Sequence, residues 1–220
     1  MLRSRRLWAE RENKCLTTLN RALALLRASQ SLPTSEVDLN RRLYFCLLTA
    51  NRELYPENEI APIMECNNQP DPDDSSRAIR EQKRPDFQWV YIDRYESDPH
   101  RSSKQFVVEC KRLGNSFRTD WVLNLNYVNH GIIRFRDPNW AYAQGFPSGA
   151  MVGYWQNLDA AQVLSEINAE ARRHKLPELV LIGAWNVRAV SRLNHGFQRP
   201  PQSDSLVLHH LWIDLRPQTS

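Results

Sequence analysis

The chain has 220 residues, 41% of them hydrophobic, and its 29 Lys and Arg exceed its 25 Asp and Glu by four. This length and apolar content suffice for a globular domain and exclude a disordered tail. No apolar run approaches the ~20 residues of a membrane-spanning helix, and the basic N-terminus lacks the apolar segment of a signal peptide. We therefore expect a cytoplasmic protein without a membrane partner, whose four cysteines are reduced thiols.

The first 30 residues form the first predicted element. They carry seven Arg and Lys against two Glu, and leucines recur at three- and four-residue intervals from Leu16 to Leu26. We assign residues 1–30 to a basic amphipathic helix and residues 31–220 to one domain, and we expect a single globular unit overall because no repeat or linker divides the chain. A solvated surface of mixed charge explains the basic residues equally well. As phosphate contacts the helix offers Arg3, Arg5, Arg6, Arg11 and Lys14.

The remaining elements follow in chain order. Ser35 and Asp38 form an N-cap signature for a second helix, which ends near residue 54. Residues 65–84 are rich in Asn, Asp, Pro and Ser and predict an irregular loop. The later patterns predict a helix over 120–135, a strand over 150–155, a helix over 159–174, and strands over 179–184 and 206–215. The expected fold class is α/β, with a central mixed β-sheet, a β-hairpin flanked by helices and an N-terminal helical extension.

The predicted β-hairpin carries the residues of most chemical interest. An aromatic alternation over residues 87–91 predicts its first strand, and the β-rich run over 105–110 predicts its second. Pairing centred on the intervening turn places Asp86 opposite Lys111, with Glu109 as a diagonal neighbour on the same face. Two carboxylates and an amine are therefore expected to converge.

Such a cluster suits the hydrolysis of a phosphodiester bond. Carboxylate oxygens are ligands that Mg²⁺ prefers, and the ion keeps several waters and bridges to phosphate oxygens. An adjacent ammonium can orient or help deprotonate the attacking water and stabilise the developing negative charge. Glu-x-Lys alone also fits an ordinary pair at a strand end. Here, however, the charged residues Glu109 and Lys111 follow Phe-Val-Val in a strand that is expected to be buried, and Pro85-Asp86 lies at the matching position of the hairpin's first strand. These features together favour a functional site.

Pro85-Asp86 followed by Glu109-Cys110-Lys111 resembles the motif of the PD-(D/E)XK, or restriction endonuclease-like, nuclease superfamily. The order of elements from about residue 35 to residue 155 is also similar to that of the family core. The resemblance implies that Mg²⁺, for which Mn²⁺ can substitute, is held by Asp86, Glu109 and the backbone carbonyl of Cys110. It implies catalytic roles for the same two acids and Lys111.

Further site residues are predicted from the flanking helices. Many members of the family add an acid from the preceding helix, and Glu36 is the candidate here, although a Glu in a first helical turn also stabilises the helix dipole. On the helix after the hairpin, Tyr127 and Arg134 share a face with His130 beside it, so the three are candidate nucleic-acid contacts or ordinary surface residues. The segment from Tyr127 to Tyr154 more loosely resembles bacterial defence-associated nucleases.

Two other groups of residues have plainer explanations. His209 and His210 are adjacent in a predicted strand and point to opposite faces, so they cannot easily bind one metal ion. Most of the seven tryptophans fall in predicted strands and are expected in the core.

The expected function is a Mg²⁺-dependent endonuclease that acts on DNA. The resemblance to defence-associated nucleases implies that the chain is an effector subunit of a bacterial anti-phage defence or restriction system. The sequence contains no P-loop, so ATPase or sensing activity would come from a partner protein. Cleavage of both strands would need a homodimer or paired recruitment. The alternatives are a non-catalytic nucleic-acid-binding or scaffold subunit with the same fold and a nuclease for RNA, since nothing in the sequence indicates a reader of the 2′-hydroxyl.

Overall fold

A mixed β-sheet forms the centre of the structure, a computed structural model that describes residues 2–57, 60–115, 122–199 and 204–217. Its described strands are β1 (Ile63–Met64), β2 (Phe87–Ile92), β3 (Ser103–Leu113), β4 (Ser148–Trp155), β5 (Val180–Ile182), β6 (Val190–Arg199) and β7 (Asp204–Asp214). They lie in the order β1-β2-β3-β4-β7-β6-β5. The β3–β4 and β4–β7 pairs are parallel, and the other neighbours are antiparallel.

Helices cover both faces of this sheet. They are α1 (Leu2–Arg27), α2 (Glu36–Leu54), α3 (Arg77–Arg80), α4 (Leu123–Tyr127), α5 (Ile133–Arg136) and α6 (Ala160–Arg173), with a π-helical segment over Val128–Ile132 that joins α4 to α5. Apolar side chains of α1 and α2 pack on one face, and those of α4, the π-helical segment and α6 pack on the other. The predicted α/β class, mixed sheet and N-terminal helix are confirmed.

Helix α2 begins where the sequence predicts, because Ser35 caps it. The Ser35 hydroxyl accepts a hydrogen bond from the backbone N–H of Asp38 at 3.1 Å. Leu39, Leu43 and Leu47 then repeat on the buried face of the helix. The cap fixes the position of the first helical residue, which is Glu36.

The hairpin forms as predicted, but its register differs by two residues. Phe87 pairs with Val108, so Asp86, the residue before β2, is level with Glu109 and not with Lys111. The cause is the connection, in which Asp98 caps a short 3-10 turn instead of lying at the centre of a tight turn. A shift of two residues keeps every side chain on its predicted face.

Two segments differ from the sequence prediction. The sequence pattern does not predict strand β6. Buried Leu193, His195 and Phe197 alternate with exposed residues, but a histidine at one of the three positions weakens the apolar alternation that indicates a strand. The segment over 65–84 contains α3 and an ion pair between the mostly buried side chains of Arg80 and Asp74. These contacts give the predicted loop defined internal structure.

Candidate active site

Three elements meet around the ammonium group of Lys111. Asp86 precedes β2, Glu109 and Lys111 lie in β3, and Glu36 begins α2. Lys111 Nζ donates to Glu36 Oε1 and Glu109 Oε1, each at 2.9 Å, and to the Cys110 carbonyl at 2.8 Å. The structure therefore brings together all the residues that the sequence proposes as catalytic groups or metal ligands.

The carboxylate of Asp86 is held by two hydrogen bonds. Its Oδ2 accepts from the backbone N–H of Cys110 at 2.6 Å, and its Oδ1 accepts from Asn40 Nδ2 at 3.0 Å. The Tyr154 hydroxyl donates to Asn40 Oδ1 at 2.8 Å, so a chain of bonds from β4 through α2 positions the carboxylate. Burial, together with the negative charge of Glu109, raises the pKa of Asp86 well above its ordinary value.

The carboxylate of Glu109 is fully buried and bound on one side only. Its Oε1 accepts hydrogen bonds from Lys111 and from Arg134 Nη1. Its Oε2 is also buried and has no hydrogen-bond partner in the described part of the chain. A buried carboxylate oxygen without a donor is energetically costly. A cation or a water molecule at this oxygen would remove the cost.

Lys111 carries a positive charge in this arrangement. Burial by itself lowers the pKa of an ammonium, but the carboxylates of Glu109, Asp86 and Glu36 more than offset that effect and raise the pKa of Lys111 above its ordinary value. The side chain thus serves as a cation and a hydrogen-bond donor at neutral pH.

Arg134 is part of the cluster and not a free phosphate contact. Besides its ion pair with Glu109, its guanidinium lies 4.2 Å from the centre of the Trp140 ring. These contacts hold a cation next to the buried carboxylate. His130 is exposed on the same stretch of chain and remains accessible to a ligand.

The prediction that Tyr127 contacts nucleic acid is wrong. Its side chain is fully buried, and its hydroxyl is within 2.7 Å of His210 Nδ1 and accepts a hydrogen bond from Trp212 Nε1 at 3.0 Å. The expected shared face with Arg134 assumed a regular α-helix. The π-helical turn between them changes the angular spacing, so Tyr127 packs on β7 while Arg134 reaches β3.

The basic residues of α1 lie away from this cluster. Arg5 and Arg6 are exposed in the first turns of α1, and Arg3 has a side chain outside the described residues. The Arg11 guanidinium lies 5.5 Å from the centre of the Tyr91 ring, near the end of β2 opposite to Asp86. The fifth residue, Lys14, lies over the Tyr55 ring at 5.3 Å. The structure thus brings none of the described basic residues of this set to the candidate site.

Asn40 and Tyr154 are site residues that sequence reasoning missed. Asn40 is mostly buried within the apolar face of α2, four residues after Glu36, and Tyr154 is fully buried in β4. A polar residue in the buried stripe of an amphipathic helix was the available signal for Asn40. Nothing in the local pattern around Tyr154 distinguishes it from a core aromatic residue.

Comparison of the chain with protein-family models, with curated proteins and with solved structures gives no match. The function therefore has to be argued from the geometry of the site. All four cysteines are free thiols, and no helix among the described residues is long and apolar enough to cross a membrane.

Proposed function

We propose that this chain is a metal-dependent nuclease of the PD-(D/E)XK type that hydrolyses phosphodiester bonds of DNA. The observation that carries the proposal is the convergence of Asp86, Glu109 and Lys111 beside the Cys110 carbonyl. One buried oxygen of Glu109 also has no hydrogen-bond partner among the residues that the structure describes. The succession of α2, the β2–β3 hairpin, the α4–α5 segment and β4 also agrees with the order of elements that the resemblance implies.

The chemistry of the donor set fits Mg²⁺. No group of three or more His, Cys, Asp or Glu side chains in the described ranges is arranged as a metal site. Mg²⁺ does not need one, because one or two carboxylates commonly hold it while waters and substrate phosphates complete its shell. Asp86, Glu109 and the Cys110 carbonyl would hold the ion, or Mn²⁺ in its place. When bound, it would polarise a phosphate oxygen and lower the pKa of a bound water.

The protein's own residues have separable roles in this proposal. Lys111 supplies a positive charge that can orient water and stabilise the negative charge that develops on the phosphate. Glu36 accepts hydrogen bonds from Lys111 and from the Arg112 backbone N–H at 3.2 Å, so it positions the ammonium. Arg134 donates to the same Glu109 oxygen as Lys111 and helps to hold that carboxylate in place.

The test compares single-turnover cleavage by variants of the three motif residues. Asp86→Ala and Glu109→Ala should lose metal binding and cleavage together, with partial rescue by excess Mn²⁺. Lys111→Ala should retain or increase metal affinity, because it removes a competing cation, while cleavage slows by ~10² or more. The substrates are supercoiled plasmid, linear duplex, single-stranded DNA and RNA, each with Mg²⁺, Mn²⁺ or EDTA.

Lys104→Ala is the matched control for this series. Lys104 lies in the same strand, β3, but at its other end, where it pairs with Glu96 at 3.1 Å. This variant should cleave like the parent chain. If Asp86→Ala, Glu109→Ala and Lys111→Ala all cleave as fast as the parent, the nuclease proposal is wrong.

A second candidate function is a non-catalytic nucleic-acid-binding subunit. The observation that favours it is the pairing of Glu109 with both Lys111 and Arg134, a buried network that can serve folding alone. Thermal unfolding separates the two functions. A metal site predicts that Mg²⁺ or Mn²⁺ raises the melting temperature of the parent chain but not that of Asp86→Ala. A purely structural network predicts no effect of either ion on the parent.

A further inference from the structure

An arginine-rich groove lies between the carboxyl end of α1 and the sheet edge formed by β5 and β6. Its volume is about 650 Å³. Arg27 of α1, Arg188 before β6 and Arg192 within β6 line it, and none of its lining residues is an Asp or Glu. The groove therefore presents three guanidinium groups to one space.

The arginine side chains of this groove are not ion-paired with the carboxylate beside them. Asp214 accepts a hydrogen bond from the Arg188 backbone N–H at 3.0 Å, but its ion pair is with Arg216. Among the described residues, none of the three arginines forms an ion pair with an acidic side chain. Within the described ranges, the Arg27 side chain donates to the Arg216 carbonyl at 3.3 Å, and its buried Nε has no acceptor. Arg188 and Arg192 are exposed. Like charges that converge without a counter-charge favour the binding of an anion.

The register of the sheet places the groove at the same end as the candidate active site. Cys110 pairs with Val152, Val152 with Leu211, and Leu211 with Arg192, so Cys110 and Arg192 belong to one row across the sheet. Three strand spacings separate them, which is about 14 Å between backbones. Arg192 shares the α1–α2 face of the sheet with Cys110, whereas Glu109 and Lys111 alternate with Cys110 and point to the other face, so this figure gives the separation of the strands only.

More arginines border the stretch of chain between the groove and the site. Residues 28–35 lead from Arg27, at the end of α1, to Glu36, which binds Lys111. Arg42 and Arg112 donate to backbone carbonyls of this stretch and form no ion pair through their side chains with described residues. Positive charge thus continues from the groove to the site.

We propose that Arg27, Arg188 and Arg192 bind the phosphate backbone of a DNA duplex whose cleavage takes place at the candidate site. The inference rests on the proposed function for the identity of the ligand. Arginine suits the role because its planar fork matches the oxygens of a phosphate, and phosphate contacts set the position of a protein on a duplex. The predicted contacts Arg5 and Arg6, in the first turns of α1, lie at the opposite end of the sheet.

The test measures binding of a labelled DNA duplex in EDTA over a range of salt concentrations. Arg188→Gln with Arg192→Gln removes two charges from the groove, and glutamine replaces arginine at residue 188 because both are unbranched side chains at a position with a φ of 58°. Arg5→Gln with Arg6→Gln removes two charges from the other end. We expect the slope of log Kd against log salt to fall by about two in the groove variant and to stay unchanged in the control. Circular dichroism checks that both variants are folded.

An unchanged slope in the groove variant, or an equal fall in both variants, would overturn the inference. A third arm uses vesicles that contain phosphatidylserine. Loss of vesicle binding by the groove variant with unchanged duplex binding would assign the groove to a membrane surface and would also overturn it. Because binding is measured in EDTA, the result is independent of cleavage. If the parent chain binds a duplex through the groove but does not cleave it, the nuclease proposal is wrong and the phosphate-binding proposal still holds.

Discussion

At the residue scale, the candidate site contains more negative than positive groups. Three carboxylates, those of Asp86, Glu109 and Glu36, face the two cations Lys111 and Arg134. With every group ionised, one negative charge is in excess in a place from which water is largely excluded. The raised pKa of Asp86 follows from its burial and from that excess. The cluster thus has the electrostatics of a site that accepts a further cation.

A second group of buried ionisable residues lies in the sheet away from the site. The rings of His195 and His210 are 5.6 Å apart and almost inaccessible to solvent. Burial lowers the pKa of His195 to about 4 and that of His210 well below its ordinary value, so both imidazoles are neutral at pH 7. The neighbouring His209 contacts Glu12 of α1 on the other face of the sheet, which confirms that His209 and His210 point in opposite directions.

Acidification should therefore destabilise the fold through these histidines. Between pH 6.5 and about pH 4, the His195 imidazole is protonated in the unfolded chain but neutral in the folded protein. The free energy of unfolding is therefore undiminished by this group above pH 6.5 and decreases as the pH falls from 6.5 to about 4. The pKa difference corresponds to roughly 3 kcal/mol. Urea unfolding between pH 7 and 4 should show a flatter pH dependence for His195→Gln than for the parent. His100→Gln, in an exposed turn, is the control, and identical curves for His195→Gln and the parent would contradict the assignment.

At the scale of elements, glycines allow the helical layer and the strands to approach closely. A Cβ on Gly131, in the π-helical segment, would lie 2.5 Å from Met151 Cε and 3.4 Å from Lys111 Cγ. In β4, a Cβ on Gly153 would lie 2.5 Å from Leu113 Cδ1 and 2.6 Å from the Trp212 ring. Gly131 thus lets the segment before Arg134 pack against β3 and β4, and Gly153 leaves room for the side chains of the two neighbouring strands.

Gly153→Ala should destabilise the protein by about 1 to 3 kcal/mol, because the added methyl group would overlap a rigid indole ring in a closely packed strand. The urea midpoint measures the loss. Gly196→Ala, in strand β6, is the matched control, since its added methyl group would meet only the Leu206 carbonyl at 3.9 Å. Equal urea midpoints for the two variants would show that the side chains around Gly153 have room for an added methyl group.

At the scale of the whole molecule, α1 is built into the same core as the sheet. Leu19, Leu23 and Leu26 are fully buried among residues of α2 and of the strands. Polar contacts hold both ends of the helix, from the bond between Trp8 Nε1 and Ser148 Oγ at 3.0 Å to the contact of Arg27 with the Arg216 carbonyl. The helix thus spans the sheet from the start of β4 to the chain after β7.

Leu23→Ala should lower the free energy of unfolding of the whole chain by about 2 to 5 kcal/mol, since it removes a fully buried side chain. Far-ultraviolet circular dichroism and tryptophan fluorescence should report one coincident transition. Leu54→Ala, at a partly exposed position at the end of α2, should cost much less. Separate transitions, with only the helical signal affected by Leu23→Ala, would mean that α1 unfolds independently.

The sequence by itself determined the elements whose signals are local. The cap at Ser35, the leucine spacing in α1 and the alternation in the hairpin each depend on neighbouring residues, and all three are confirmed. The grouping of Asp86, Glu109 and Lys111 was also predictable, because an error of two residues in register keeps side chains on the same face.

Only the tertiary structure decided what surrounds those residues. Tyr154 is remote in sequence from Asp86, and its bond to Asn40 exists because β4 pairs with β3 while α2 packs across them. The burial of Tyr127 depends on a π-helical turn, and the position of Arg192 depends on three successive strand pairings. Such contacts follow from which elements pack together, and local sequence patterns carry no information about that choice.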